Sequence, residues 1–134
     1  MGSQRMKIDG ACHCGAITYE AEVDPRRTII CHCTDCQTIS GAPYRVSVPV
    51  LLENFRLTGE PRRYRKRADG EGYNAFCGTC GAAMFSAKAG NNFVFLRTGS
   101  ARQRAELPPM AQGFCRSAVP WSADIRDVPV IGPA

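Results

Sequence analysis

The alternation of apolar and polar residues along the chain predicts a protein built mainly of β-strands. Apolar side chains occupy every second position through residues 17–23, which is the period of a strand with one buried face. Six other segments are short, rich in strand-forming residues and bounded by turn residues: 28–31, 43–48, 64–67, 73–76, 83–87 and 93–98. Helical periodicity is scarce, and only residues 36–40 and 51–55 are candidates for one or two helical turns.

Turn residues separate these segments and indicate how they connect. Residues 68–72 and 88–92 have the composition of hairpin connections between neighbouring strands. Two adjacent prolines place residues 107–110 in a loop. We predict a single, mainly β domain over residues 1–134, with a core over about residues 6–125 and an extended tail over residues 126–134.

The composition is that of a folded globular chain and excludes several other classes. The 134 residues are 44% hydrophobic and 22% charged, which rules out a disordered or coiled-coil protein. No apolar stretch approaches the roughly 20 residues of a membrane-spanning helix, so we expect no membrane partner. The first residues lack the apolar segment of a secretion signal. We therefore expect a cytoplasmic location, where clustered thiols bind metals more often than they form disulfides.

The net charge of +5 is concentrated in one basic run over residues 62–67. Such a run is most often a solvated face of a strand or loop. The alternative is a patch that binds a carboxylate, a phosphate or nucleic acid. Because the chain has no basic tail and no long block of one charge, we do not expect nucleic acid as the partner.

Eight cysteines are the most informative feature of the composition, and seven of them fall into three clusters. The clusters are Cys12 with Cys14, then Cys31, Cys33 and Cys36, then Cys77 with Cys80, while Cys115 stands alone. A C-x-x-C turn followed by glycine, as at Cys77 and Cys80, is a zinc knuckle that supplies two thiolates. Cys12 and Cys14 are the natural partners, because alternate residues of an extended chain share one face. These four cysteines are predicted to form one closed site.

Cys31, Cys33 and Cys36 then form a second site with only three thiolates. An open fourth position distinguishes catalytic from structural zinc. Three alternatives remain open: Cys115 completes this site, Cys12 and Cys14 pair with Cys31 and Cys33 instead, or the cysteines form disulfides. His13 and His32 lie between ligands, and we expect them to point away from the metals.

The order and spacing of the motifs resemble one known family. The motifs are GACHCG at residues 10–15, CHCTDC at 31–36 with Gly41 just after, FCGTCG at 76–81 and PW at 120–121. Together they resemble the glutathione-dependent formaldehyde-activating enzyme family, which also includes centromere protein V. The resemblance runs from about residue 8 to residue 122, nearly the whole chain.

The resemblance implies a fold of coiled antiparallel sheets, called a β-tent, with two zinc ions. It implies a structural zinc on Cys12, Cys14, Cys77 and Cys80 and a catalytic zinc on Cys31, Cys33 and Cys36. The family's activity is the addition of glutathione to formaldehyde, and the class is carbon–sulfur lyase. Residues 99–104 lack the acidic residue that relatives often have there, and Cys115 and the basic run are further departures. These differences leave the substrate open.

The chemistry of the three-thiolate site suggests its function. Such a site suits the exchange of a fourth soft ligand, such as a substrate thiolate. His32 and Asp35 are candidate proton carriers, although Asp35 is equally suited to cap the helical turn after it. Trp121 is a candidate wall of the pocket or a core residue, and Arg45 or the basic run could hold a carboxylate of glutathione. The alternative is a non-catalytic zinc module that binds protein or nucleic acid, or one that only senses zinc.

Overall fold

A computed structural model describes residues 5–133 of the chain. Over these residues the chain forms ten strands and one α-helix, joined by short 3₁₀ turns. Their bounds are β1 (Met6–Ala11), β2 (Thr18–Val23), β3 (Ile29–Cys31), α1 (Thr34–Ser40), β4 (Arg45–Leu51), β5 (Phe55–Thr58), β6 (Arg62–Tyr64), β7 (Gly72–Phe76), β8 (Ala83–Lys88), β9 (Phe93–Arg97) and β10 (Ala111–Gly113). The prediction of a mainly β fold is confirmed.

The strands form two sheets. The smaller sheet has the order β1-β2-β5, and the larger has the order β10-β3-β4-β9-β8-β7-β6. All neighbours are antiparallel except β10, which lies parallel to β3. Both sheets contribute to one buried apolar cluster, in which Ile17, Val23, Val48, Met84 and Leu96 are almost fully buried. Burial of this apolar surface is the main term that stabilises the fold.

Several predicted elements differ from the structure at their boundaries. The segment 64–67 is wrong as a strand, because β6 covers Arg62–Tyr64 and the chain then turns away toward β7. Only Leu52–Asn54 forms a 3₁₀ turn within the predicted helical segment 51–55, and Phe55 already begins β5. Strands β1, β5 and β10 have no counterpart in the prediction, since they are short or interrupted by glycine and charged residues.

The two ends of the chain lie largely beyond these elements. The prediction that the first residues lack a secretion signal falls partly on residues 1–4, which are outside the described range. Residues 126–133 are exposed and belong to no strand. No helix within residues 5–133 is long and apolar enough to span a membrane.

The sheets bring the cysteine motifs to the ends of their strands. Cys12 and Cys14 lie in the connection from β1 to β2, and Cys77 and Cys80 lie in the turn from β7 to β8. Cys31 ends β3, and the next two cysteines of that motif lie at the start of α1. The helix ends at Gly41, whose φ of 66° is the left-handed conformation that favours glycine.

Candidate metal centres and the adjoining cavity

The first cysteine cluster joins two turns that are distant in sequence. The Sγ atoms of Cys12, Cys14, Cys77 and Cys80 all lie within 4.8 Å of one another. The Sγ of Cys14 is 3.7 Å from that of Cys12 and 3.7 Å from that of Cys77. This is the grouping that the spacing predicted, and the alternative in which Cys12 and Cys14 pair with Cys31 and Cys33 is wrong.

Both turns are folded around a cysteine sulfur. The N–H of Ile17 donates to Cys12 Sγ at 3.2 Å, and the N–H of Cys80 donates to Cys77 Sγ at 3.4 Å. Glycines with φ of 83° and 80°, Gly15 and Gly81, close the two turns. Backbone donors favour a charged sulfur, and those of Ala82 and Cys14 lower the pKa of Cys80 to about 6.

The second cluster is built by the start of α1. The Sγ atoms of Cys31, Cys33 and Cys36 lie within 4.8 Å of one another, and no other cysteine, histidine or carboxylate of residues 5–133 joins the group. Cys33 is the N-cap of the helix, and its Sγ accepts the N–H of Cys36 at 3.3 Å. Cys33 therefore takes the capping role that the sequence left open for Asp35, which lies in the first helical turn.

The pKa values of Cys36 and Cys33 in this cluster are shifted in opposite directions. Burial and the neighbouring sulfurs of Cys33 and Cys31 raise the pKa of Cys36 to about 12. Burial also acts to raise the pKa of Cys33, but hydrogen bonds from the Cys36 thiol and backbone outweigh it, and the net pKa is lowered. Neighbouring thiolates repel one another, and a bound cation would offset this repulsion.

The sulfur geometry fits metal binding at both clusters. Tetrahedral coordination with zinc–sulfur bonds of about 2.3 Å places sulfurs about 3.8 Å apart. The two 3.7 Å separations at Cys14 match this spacing, and they are far too long for a disulfide. All eight cysteines are free, so the disulfide alternative is wrong. Each cluster could hold a metal ion.

A cavity of about 340 Å³ opens beside the three-cysteine cluster. Its lining combines Cys36 with residues of α1, of the β6–β7 connection and of the large sheet. The polar residues of the lining are Asp35, Arg45, Lys66, Arg67, Asn74, Ser86 and Arg97. Of these, Arg97 is only 7% exposed.

Sheet register explains why two arginines from distant strands face this cavity. Arg45 lies opposite Cys31 in the β3–β4 pair, and Ser47 lies opposite Arg97 in the β4–β9 pair. Residues two apart on a strand share a face, so Arg45, Ser47 and Arg97 lie on the same side of the sheet. Ser86, opposite Phe95, extends that face across β8.

Sequence reasoning missed Arg97, Asn74 and Ser86 as cavity residues. The local signal was present for Arg97, which ends the otherwise apolar strand Phe93–Arg97. An arginine that continues a buried strand is unusual, because arginine is almost never fully buried unless it is paired. Asn74 and Ser86 carry no such signal, because alternating polar residues are ordinary in a strand.

The structure places the other candidate residues away from the cavity, with one exception. His32 is buried, donates from Nε2 to Gln112 Oε1 at 2.8 Å and packs against Tyr44, so it lies outside both the cluster and the cavity lining. Trp121 is 64% exposed and neither lines this cavity nor packs in the core. Cys115 is exposed and does not complete the three-cysteine cluster. Asp35 is the exception, because it lines the cavity.

Comparisons with known proteins place the chain in a family. The family model described as "Glutathione-dependent formaldehyde-activating enzyme" matches residues 7–117. A crystal structure of a Rhodobacter sphaeroides protein is similar with a TM-score of 0.63 and 19% identity, over 78% of this chain and 98% of that one, which shows a shared fold. A search of curated proteins finds no match. Because the family model spans most of the chain and both cysteine clusters, the chain belongs to the glutathione-dependent formaldehyde-activating enzyme family.

Proposed function

We propose that the protein is a zinc-dependent carbon–sulfur lyase that makes or breaks the adduct of a thiol with a carbonyl compound. The default substrates are glutathione and formaldehyde, as the family description suggests. The observation that carries the proposal is the three-cysteine cluster beside a cavity, with no fourth ligand among residues 5–133. A closed structural site would need that fourth ligand.

The two clusters have different roles in this proposal. Cys12, Cys14, Cys77 and Cys80 would hold a structural zinc that ties the two turns together. Cys31, Cys33 and Cys36 would hold the second zinc, with Cys36 on the cavity wall. When bound there, zinc would keep a substrate thiol in its deprotonated, nucleophilic form.

The reaction requires one bond change and one proton transfer. In the direction of synthesis, the sulfur electron pair forms the carbon–sulfur bond, the carbonyl double bond opens and its oxygen takes up a proton. In the reverse direction, the hydroxyl loses this proton, the carbonyl re-forms and the pair returns to sulfur. Confining both reactants beside the cluster supplies much of the rate advantage.

Asp35 is the better placed of the two candidate proton carriers. It lines the cavity, and its Oδ2 accepts from Lys66 Nζ at 2.6 Å, which orients the carboxylate at the rim. His32 is separated from this role by its bond to Gln112 and its burial. We therefore assign proton transfer to Asp35 and a supporting role behind the cluster to His32.

The non-catalytic alternative depends on the basic run, whose members are largely engaged within the chain. Arg63 and Arg65 lie over the ring of Tyr73, at 4.5 and 5.5 Å from its centroid. Arg65 also donates to the carbonyl of Gly70, and Lys66 pairs with Asp35. These contacts support a structural role for the run and disfavour a nucleic-acid surface.

The proposal is tested by the exchange between glutathione, formaldehyde and their adduct, measured by NMR with zinc-loaded protein. We expect the wild-type chain to accelerate exchange and the Cys33→Ser variant to lose the acceleration while remaining folded. Cys115→Ser is the matched control, since this exposed thiol lies outside both clusters. Exchange at the uncatalysed rate with fully zinc-loaded wild-type protein would contradict the assignment of these substrates.

A further inference from the structure

Two arginines beside the three-cysteine cluster, the buried Arg97 and the half-buried Arg45, lack a carboxylate partner. Neither Arg45 nor Arg97 has a carboxylate within ion-pair distance among residues 5–133. Arg97 Nη2 donates to Asn74 Oδ1 at 2.8 Å, and Arg45 Nη1 donates to Ser86 Oγ at 3.1 Å. The remaining buried nitrogens, Nε and Nη1 of Arg97 and Nε of Arg45, donate to no protein acceptor.

Burying a guanidinium group without a counterion is destabilising, so a buried arginine without one indicates a functional role. Burial and the nearby charge of Arg45 lower the pKa of Arg97 to about 10, which still leaves it charged at neutral pH. The cation–π contact of Arg45 with Phe95, at 5.6 Å, stabilises the positive charge but leaves its Nε free. Both side chains line the cavity, and each has at least one donor nitrogen without a protein acceptor.

The charges around the cavity indicate what a ligand brings. The lining has four cations, Arg45, Lys66, Arg67 and Arg97, against one carboxylate, Asp35, which already pairs with Lys66. Three thiolates and one zinc ion together have a net charge of −1, which offsets one of these positive charges. Two positive charges then remain, which a ligand with one thiolate and one carboxylate would balance.

We propose that Arg97 and Arg45 form a carboxylate-binding subsite, so that the substrate thiol of this protein carries a carboxylate within reach of its sulfur. This inference rests on the proposed function, because it assigns the charge of the thiol that the three-cysteine site receives. Arg97 is the specificity-determining residue, since it is the more buried and has two free nitrogens. Asn74 and Ser86 position the two guanidinium groups by accepting one hydrogen bond from each.

The charge requirement is tested by thiol binding to protein in which cobalt(II) replaces zinc, because visible absorption of cobalt reports a new sulfur ligand. The probes are 3-mercaptopropionate and 3-mercaptopropanol, which differ only in the carboxylate. Charge-assisted hydrogen bonds are worth enough to predict at least about tenfold tighter binding of 3-mercaptopropionate. In Arg97→Met the ratio of the two affinities is expected to fall to about one.

Two further variants keep this test decisive. Arg45→Met should also reduce the ratio, and it serves if Arg97→Met fails to fold. Arg102→Met is the control, because this exposed arginine pairs with Asp9 outside the cavity and should retain the full ratio. Equal affinity of the two thiols for the wild-type protein, or an unchanged ratio in Arg97→Met and Arg45→Met, overturns the subsite alone. Failure of both thiols to change the cobalt spectrum contradicts the open metal site and thus the proposed function as well.

Discussion

The Sγ atoms of Cys14 and Cys77 lie 3.7 Å apart although 63 residues separate them along the chain. The contact links the β1–β2 connection of the small sheet to the β7–β8 turn of the large sheet. A metal ion at this cluster would therefore act as a crosslink between sheets, and its binding energy would contribute directly to folding.

The first prediction concerns this crosslink. Cys77→Ser should lower the melting temperature by at least about 10 °C, because each kcal/mol lost shifts the melting point of a domain this size by several degrees. Differential scanning calorimetry of metal-loaded protein measures the change. Cys115→Ser, an exposed cysteine in neither cluster, is the control and should leave the melting temperature unchanged. A melting temperature of Cys77→Ser equal to that of the control would argue against a structural metal.

The second prediction concerns the difference in metal retention between the two clusters. Four thiolates enclose a metal, whereas three leave one side accessible to a competing ligand. A mild chelator should remove one zinc ion quickly and the other slowly, as followed by a colorimetric zinc indicator. In Cys36→Ser only the slowly released zinc should remain, with the fold retained by circular dichroism. Release of both ions at one rate from the wild-type protein would contradict the distinction.

The third prediction concerns proton transfer at the cavity rim. Asp35→Asn keeps the size of the side chain and removes its basicity, so kcat/KM for adduct exchange should fall by about 10²-fold or more. Lys66→Met is the control, because it removes the ion pair but keeps the carboxylate, and its effect should be smaller. Metal content should be unchanged in both variants. Activity of Asp35→Asn within twofold of wild type would exclude Asp35 as the proton carrier.

The fourth prediction concerns a close approach within the small sheet. A Cβ added at Gly10 would lie 2.5 Å from Tyr19 Oη and closer still to the carbonyl oxygen of Ser100. Tyr19 Oη and Ser100 Oγ are joined by a 2.8 Å hydrogen bond, so neither can move without losing it. Gly10→Ala should therefore lower the free energy of unfolding by roughly 1–3 kcal/mol.

The control for this substitution is Gly99→Ala. Gly99 is exposed, and an added Cβ there meets no atom within 4 Å. Its free energy of unfolding should stay within about 0.5 kcal/mol of wild type. Urea denaturation of both variants measures the difference, and equal stability of the two would mean that the β1–β2 pair tolerates the added methyl group.

The cysteine groups could be predicted from sequence because their geometry is local. A C-x-x-C turn or a C-x-C segment fixes two sulfurs within a few residues. Each pair supplies only two ligands, so the pairs that begin at Cys12 and Cys77 were expected to combine in one four-cysteine site. Strand periodicity likewise predicted β2, whose buried face follows a two-residue repeat. Strand-forming residues between turn residues predicted β8 and β9.

The arginine face of the cavity could not be predicted in the same way. Arg45 and Arg97 are brought together by the antiparallel register of β3, β4 and β9, which no local pattern specifies. The parallel pairing of β10 with β3 is equally long-range, and β10 is only three residues long. Trp121 was expected at the pocket or in the core, but the 3₁₀ turn Pro120–Ala123 leaves it exposed.

The last prediction concerns the pH dependence of stability. Hydrogen bonds from Gln103, at 2.8 Å, and from Arg102, at 3.0 Å, hold the pKa of Asp9 below its usual value of 3.8. The folded state therefore favours the ionised carboxylate, and the resulting stability is fully present above the unfolded pKa, near 4. It is lost as the pH falls through the lower, folded pKa. Asp9→Asn should destabilise the protein at neutral pH, and its difference from wild type should shrink below about pH 4.

Thermal melts at several pH values measure this difference directly. Asp69→Asn is the matched control, because Asp69 is exposed and forms no ion pair among residues 5–133. Its stability should follow that of wild type across the whole pH range. A difference between Asp9→Asn and wild type that persists undiminished at pH 2 would mean that the contribution comes from packing or neutral hydrogen bonds. The charge of Asp9, which joins β1 to Arg102 beyond β9, would then not be its source.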